Sequence, residues 1–175
     1  YEGETRFVDA SIEKLWKWLE ASGDADNTIV IFCSDHGDEF MEHGGLGHGK
    51  TLEIEQLHVP LMIRGINKTS EPRVTALVRN VDVPPTLLDM LGIEIPGVWE
   101  GWSLLPLMQG VDQAPPPHSI AAVQELRSLT DEACHYIWSG PRGWHKLYDL
   151  KKDPRALADV AQEENDKATS MQWAL

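Results

Sequence analysis

Residues 26 to 50, DNTIVIFCSDHGDEFMEHGGLGHGK, run from an apolar stretch into a loop that carries Asp35, His36, His43, His48 and Lys50 among five glycines. A carboxylate oxygen and an imidazole nitrogen are both good ligands for a divalent cation. Asp35 and His36 are adjacent, and Gly37 lets the backbone turn so that both side chains can converge on one point. The pair reads either as half of a metal shell or as an ordinary Asp-His-Gly turn, and the other ligands of a shell must come from elsewhere. His43, His48 and Lys50 could supply donors to an oxyanion, and Gly44, Gly45, Gly47 and Gly49 allow close approach of the backbone.

The elements around the loop weigh on that choice. Thr28-Ile29-Val30-Ile31-Phe32-Cys33 is β-branched and aromatic without alternation, the pattern of a strand covered on both faces, with Cys33 as a core thiol. Ligands in open α/β sheets bind outside the carboxyl ends of strands, which is where Asp35 and His36 fall. Upstream, Val8, Ile12, Leu15, Trp16 and Leu19 recur at helical spacing and Gly23 stops the run, so residues 4 to 22 predict an amphipathic helix packed on the sheet. Downstream come a short helical stretch near 51 to 57, a second apolar strand in VPLMIRG (59 to 65), and a Pro-started helix from about Val83 to Leu91 with a Gly92 cap.

INKTSEP (66 to 72) reads as a turn whose Asn67-Lys68-Thr69 triplet is a coincidental glycosylation match, and the Pro run that closes at residue 117 reads as a linker. From His118 onward about three short strands form an antiparallel meander, followed by a helical tail over 154 to 175. The expected architecture is α/β: part of a mostly parallel sheet flanked by helices, plus a small C-terminal antiparallel sheet with a terminal helix. The expected division falls at 1–115 and 116–175. His58, His118, His135 and His145 sit in or beside strand-like segments and read as surface or core residues. Of the seven tryptophans, Trp99 and Trp102 lie in a loop where they could line a pocket.

Composition narrows the partners. The chain has 175 residues, 42% hydrophobic, and a formal net charge of -13 with no run of Lys or Arg, which excludes a basic footprint for nucleic acid or an anionic membrane. An anionic substrate must therefore be held by local positive groups or a metal. No apolar run reaches the ~18 residues of a membrane span. Two cysteines, Cys33 and Cys134, define no disulfide framework. The chain begins at Tyr1 inside a helix approach, so it is expected to be a piece of a longer protein.

Several stretches, in order, resemble the sulfatases of the alkaline phosphatase superfamily. YEGETRFVD looks like the helix before the family's second metal strand, and NTIVIFCSDHGDEFMEHGGLGHGKTL like that strand and its metal loop. HVPLMIRG is similar to the next strand, NVDVPPTLLDMLGIEIPGVWEGWSLLPLMQG to the family's D-x-x-P-T-L-L-D-x-x-G helix and G-x-S-L-x-P return, and KLYDLKKDPRALADVA to its C-terminal hairpin and tail.

The resemblance implies an alkaline phosphatase-like fold and metal-assisted cleavage of a small-molecule sulfate or phosphate-type ester. It places two metal ligands on Asp35 and His36, and an anion contact on His48 by residue count, with Lys50 as second choice. Calcium is the metal it implies, and the nitrogen of His36 in place of the commoner Asn adds manganese or zinc. The family nucleophile is a Cys or Ser in C/S-x-P-x-R, converted to formylglycine and preceded by an acidic pair. Cys33 is followed by Ser-Asp-His and Cys134 by His-Tyr-Ile, so neither matches.

Those parts are expected in an N-terminal half outside this chain, which by itself should be inactive. Phosphonate or phosphodiester hydrolases and phosphoethanolamine transferases share the same loop pattern, and a non-catalytic docking domain is the reading from another class. Left without its neighbours, the 28 to 34 strand would favour a homo-oligomer. The family's locations are exported, periplasmic or lysosomal.

Overall fold

The spacing of Val8, Ile12, Leu15, Trp16 and Leu19 becomes helix α1, Glu2–Ser22, closed by Gly23 in the left-handed conformation at φ 81°. The computed structural model describes residues 1–65, 73–111 and 118–175, so the Asn67 triplet and the Pro-rich linker lie outside the described residues. The chain divides into two units, Tyr1–Phe32 with Met62–Thr69, and Cys33–Leu61 with Ser70–Leu175.

The first unit holds α1, most of β1 (Val30–Cys33) and most of β4 (Leu61–Arg64), and these two strands pair in a two-stranded sheet. Arg64 ties its parts together. The guanidinium sits 4.6 Å over the Trp16 ring, donates to the Ala25 carbonyl at 2.5 Å and pairs with Asp26 at 3.2 Å. Two expectations are corrected here. No residue of α1 is buried, and β1 is half-buried with Cys33 exposed rather than in a core. The physical reason is the sheet's width: with only β4 beside it among the described residues, β1 lacks the cover on both faces that its composition suits.

In the second unit the Gly-rich loop contains a small hairpin, β2 (Glu39–Phe40) with β3 (Leu46–Gly47), and then the single-turn helix α2 (Ile54–Leu57). The Pro-started helix is α3 (Val83–Met90), with Gly92 at φ 67° just beyond it. Its motif residues form a joint. Asp82, buried, accepts from the Arg79 amide at 2.8 Å, from the Arg79 guanidinium at 2.8 and 3.2 Å, and from the Trp102 amide at 2.9 Å. Thr86 donates to the Asp82 carbonyl at 2.5 Å and accepts from the Leu104 amide at 2.8 Å, while Ser103 donates to Asp89. Those bonds fix the return into α4 (Leu105–Met108).

The C-terminal sheet has four antiparallel strands, β5 (Ser119–Val123), β6 (Leu126–Thr130), β7 (Cys134–Ser139) and β8 (Trp144–Asp149), where about three were expected. The extra turn, at Gln124-Glu125, carries its positive φ of 50° on Gln124 instead of on Gly or Asn, so it leaves no turn signal in the sequence. Side chains alternate across the sheet. Leu129, Tyr136 and Leu147, in one cross-strand row, pack with Cys134 against Ala168 and Met171 of α5 (Asn165–Ala174). Leu126, Ile137 and Tyr148 pack on the other face against Leu52, with Ile54 and Leu57 of α2 beside them. Each such burial contributes roughly 1.5–3 kcal/mol. The segment after the Gly-rich loop thus rests on a sheet already stiffened from behind.

Candidate metal and anion site

Ser34 to Gly37 leave β1 in a turn held by hydrogen bonds on both sides. Ser34 donates its hydroxyl to the His36 carbonyl at 2.7 Å, and Asn80 donates to the Ser34 carbonyl at 2.9 Å. The Gly37 amide donates to the Gln56 carbonyl at 2.9 Å, and a Cβ at Gly37 would run into the Glu55 carbonyl oxygen. Glycine is therefore required by close approach of two backbones, not by the turn alone.

Asp35 is 86% exposed, with Oδ1 accepting from the His36 amide at 3.0 Å and Oδ2 lying 3.7 Å from His36 Nε2. An oxygen and a nitrogen at that separation are within the range of two ligands on one cation. The His36 and His48 rings approach to 3.8 Å between centroids at an interplanar angle of 31°, and His48 Nδ1 lies 2.7 Å from Asp38 Oδ1. The chain therefore brings His48 against His36. Lys50 is exposed and forms no ion pair with a described residue.

Behind the exposed groups lies a buried polar scaffold that the sequence reading missed. Glu39 accepts from Thr51 and, at 2.5 Å, from Gln56, whose own oxygen accepts from the Gly49 amide at 3.0 Å. His43, 7% exposed at its side chain, donates from Nε2 to the Ala156 carbonyl at 2.6 Å, with Nδ1 3.2 Å from Glu55. Glu53 accepts from Lys146 at 2.7 Å and from the Tyr148 hydroxyl at 3.1 Å. His135 completes the attachment through the Leu52 carbonyl at 2.7 Å and Thr130 at 2.8 Å, and of the surface or core placement expected of it the structure gives the core. Burial holds the His135 imidazole below its ordinary pKa and pushes the Tyr148 phenol well above its own, with the Glu53 carboxylate adding to the latter.

The sulfatase family profile matches residues 1–93. The chain belongs to the sulfatase family. Among its relatives is the N-acetylglucosamine-6-O-sulfatase of Bacteroides thetaiotaomicron, 30% identical over 87% of this chain and 30% of that protein. A solved protein in complex with its substrate D-glucosamine-2-N,6-O-disulfate superimposes with TM-score 0.82 at 27% identity, covering 96% of this chain and 37% of the other. The phosphonate monoester hydrolase of Agrobacterium radiobacter gives TM-score 0.77 at 27% identity, with 95% and 37% covered. These neighbours establish the alkaline phosphatase-like sulfatase fold, and the chain spans about a third or less of the length of the curated relatives it matches.

In this sulfatase chain the scaffold residues carried no legible signal, since Glu39, Glu53 and Glu55 read as ordinary acidic residues of a loop. Of the two loop tryptophans, Trp99 lines an apolar recess with Val81, Pro84 and Gly101. No helix among the described residues is long and apolar enough to cross a membrane.

Proposed function

We propose that this sulfatase chain supplies one side of a sulfuric ester hydrolase site, with Asp35 and His36 as two ligands of a divalent cation and His48 as the contact to the ester's anionic group. The observation that carries this reading is the 3.8 Å approach of the His36 and His48 rings, which lets a group bound at Asp35 and His36 meet the His48 imidazole. The sulfatase relatives support the reaction class. A cation held there, calcium by family habit or manganese or zinc through the His36 nitrogen, supplies Lewis acidity to the ester oxygens.

The chain's own groups do the rest on this side. Asp35 offers a solvent-facing carboxylate, and the Gly37 carbonyl takes the His36 Nδ1–H at 3.1 Å, which leaves Nε2 free to bind. Asp38 accepts from His48 Nδ1–H and orients the ring, so that in the imidazolium form Nε2–H can donate to an anionic oxygen. Lys50, exposed on the same loop, is the second candidate for that contact. Residues 1–115 form the catalytic portion and 116–175 the small antiparallel subdomain that supports it. The nucleophile and the other metal ligands belong to a part outside these residues.

The test has two arms, each with an aryl sulfate. The purified 175-residue chain should show no metal-dependent turnover, and turnover would sink the half-site reading. In the enzyme that contains this chain, Asp35→Asn and His48→Ala should each lower kcat by about 100-fold or more. The likeness to a phosphonate monoester hydrolase favours one second reading, in which a phosphonate monoester is the better substrate. The ratio of kcat/KM for matched sulfate and phosphonate esters separates the two.

A further inference from the structure

We propose that Gln56, anchored by Glu39, is a positioning residue that holds the turn bearing Asp35 and His36 and the turn bearing His48 at one fixed separation. Gln56 stands in α2 and is 5% exposed, with Ile54 and Leu57 of the same helix packed beside the C-terminal sheet. Its backbone carbonyl accepts from the Gly37 amide at 2.9 Å, next in the chain to His36. Its side-chain oxygen accepts from the Gly49 amide at 3.0 Å, next in the chain to His48. One buried residue thus bonds to the neighbours of both imidazoles whose rings approach to 3.8 Å.

The direction of the Gln56 amide is set by its own partners. Nε2 donates to Glu39 Oε1 and to Thr51 Oγ1, each at 2.5 Å, so the oxygen faces Gly49. Glu39 is 1% exposed and is hemmed in: a Cβ at Gly45 would run into its carboxylate, and its backbone pairs with Gly47 across the hairpin. Its Oε2 is buried and takes no hydrogen bond from a described residue. An orphaned buried acceptor costs free energy, so packing alone does not account for a carboxylate here. The other oxygen accounts for it, since Oε1 collects both Thr51 and Gln56 and aims the amide. A buried position in a helix resting on an apolar face suits Leu or Met, and Gln56 is likewise accounted for by what it bonds.

The separation of the two turns follows from this residue of this chain alone. Its consequence for catalysis rests on the reading of Asp35, His36 and His48 given above. An anion contact helps the reaction only at a fixed reach from the bound cation, and a misplacement of about 1 Å can cost on the order of 10²-fold in rate. Gln56 touches neither group and acts through Gly37 and Gly49.

The experiment starts from Gln56→Met, which keeps the length of the side chain and the backbone carbonyl while removing the amide. In NMR spectra of the 175-residue chain, cross-peaks between the His36 and His48 rings should be present in the wild type and lost in Gln56→Met. Cross-peaks that persist overturn the proposal, whatever the reaction. In the enzyme that contains this chain, with an aryl sulfate, Gln56→Met should lower kcat/KM by about tenfold or more when His48 is present, and by less than about twofold in the His48→Ala background. Equal losses in the two backgrounds overturn it too, because they assign Gln56 to general stability. If His48→Ala alone costs nothing, the anion-contact reading fails, and the ring cross-peaks still decide the positioning. Should Gln56→Met not fold, Gln56→Glu sets an oxygen against Glu39 and should lose the cross-peaks, whereas Glu39→Gln combined with Gln56→Glu should regain them. The same result in both overturns the proposal.

Discussion

The imidazole of His43 meets the carbonyl of Ala156 at 2.6 Å, although 113 residues separate them in the chain. That bond pins the middle of the Gly-rich loop to the segment beyond the C-terminal sheet. His43→Ala would orphan the carbonyl and leave the Glu55 carboxylate facing a void. The expected loss is about 2–4 kcal/mol in unfolding free energy, seen as a lower urea midpoint with an unchanged slope. A midpoint within error of the wild type would show that the loop does not depend on this anchor.

Glu53 is the other anchor, held by Lys146 and Tyr148 from adjacent register positions on one face of β8. Glu53→Gln keeps the shape and removes the charge, at a cost of about 1–3 kcal/mol. It should also bring the Tyr148 phenol down toward its ordinary range, since the carboxylate contributes to the upward shift after burial. Tyrosinate absorbance in an alkaline titration reads this directly, and an onset unmoved by the substitution would refute the coupling.

The buried His135 gives a pH dependence with a definite sign. Burial lowers its pKa in the folded state, so the folded chain binds that proton less readily than the unfolded chain does. Its contribution to stability is therefore present above the unfolded value of about 6.5 and is lost as pH falls from there toward the folded value. Replacing His135 by Asn should make stability less sensitive to pH below about 6.5. Parallel stability curves for the two proteins across that window would contradict the assignment.

Gly37→Ala tests the close approach of the two backbones behind Asp35 and His36. Because the new Cβ would strike the Glu55 carbonyl, the Ser34–Gly37 turn must move away from α2. A destabilisation of about 1–3 kcal/mol is expected, with displaced His36 and His48 ring resonances in NMR spectra. Gly49→Ala is the control: nothing lies within contact distance of a Cβ there, though its φ of 78° carries strain of its own. Unshifted ring resonances in Gly37→Ala would mean that the turn absorbs the methyl without moving the site.

What could be read in the sequence depended on range. Helix α1, its Gly23 stop, the Pro-started α3 and the strand-to-loop switch at Ser34 are written in neighbouring residues, and each stands close to where its pattern put it. The nearness of His48 to His36 was legible only through the family's spacing, because the β2–β3 hairpin that creates it has two-residue strands too short to show a pattern. Asp38 was passed over for the same reason. Glu53 was illegible because its partner Tyr148 lies 95 residues away, and a lone acidic residue in a loop predicts solvent. Cys33 was misjudged because an apolar strand reports the cover it suits and not the cover it has.

The C-terminal sheet pairs β5 with β6, β6 with β7 and β7 with β8, so every ladder joins strands that follow one another in the chain. Closing such short loops costs little entropy, and contacts of that kind form early on the folding path. The segment after the Gly-rich loop gains its anchors at Leu52 and Glu53 from residues more than 80 positions away, on strands that must already be in place. Assembly should therefore run backward along this chain: the four later strands form the template, and the residues proposed to carry the chemistry are set upon it afterwards.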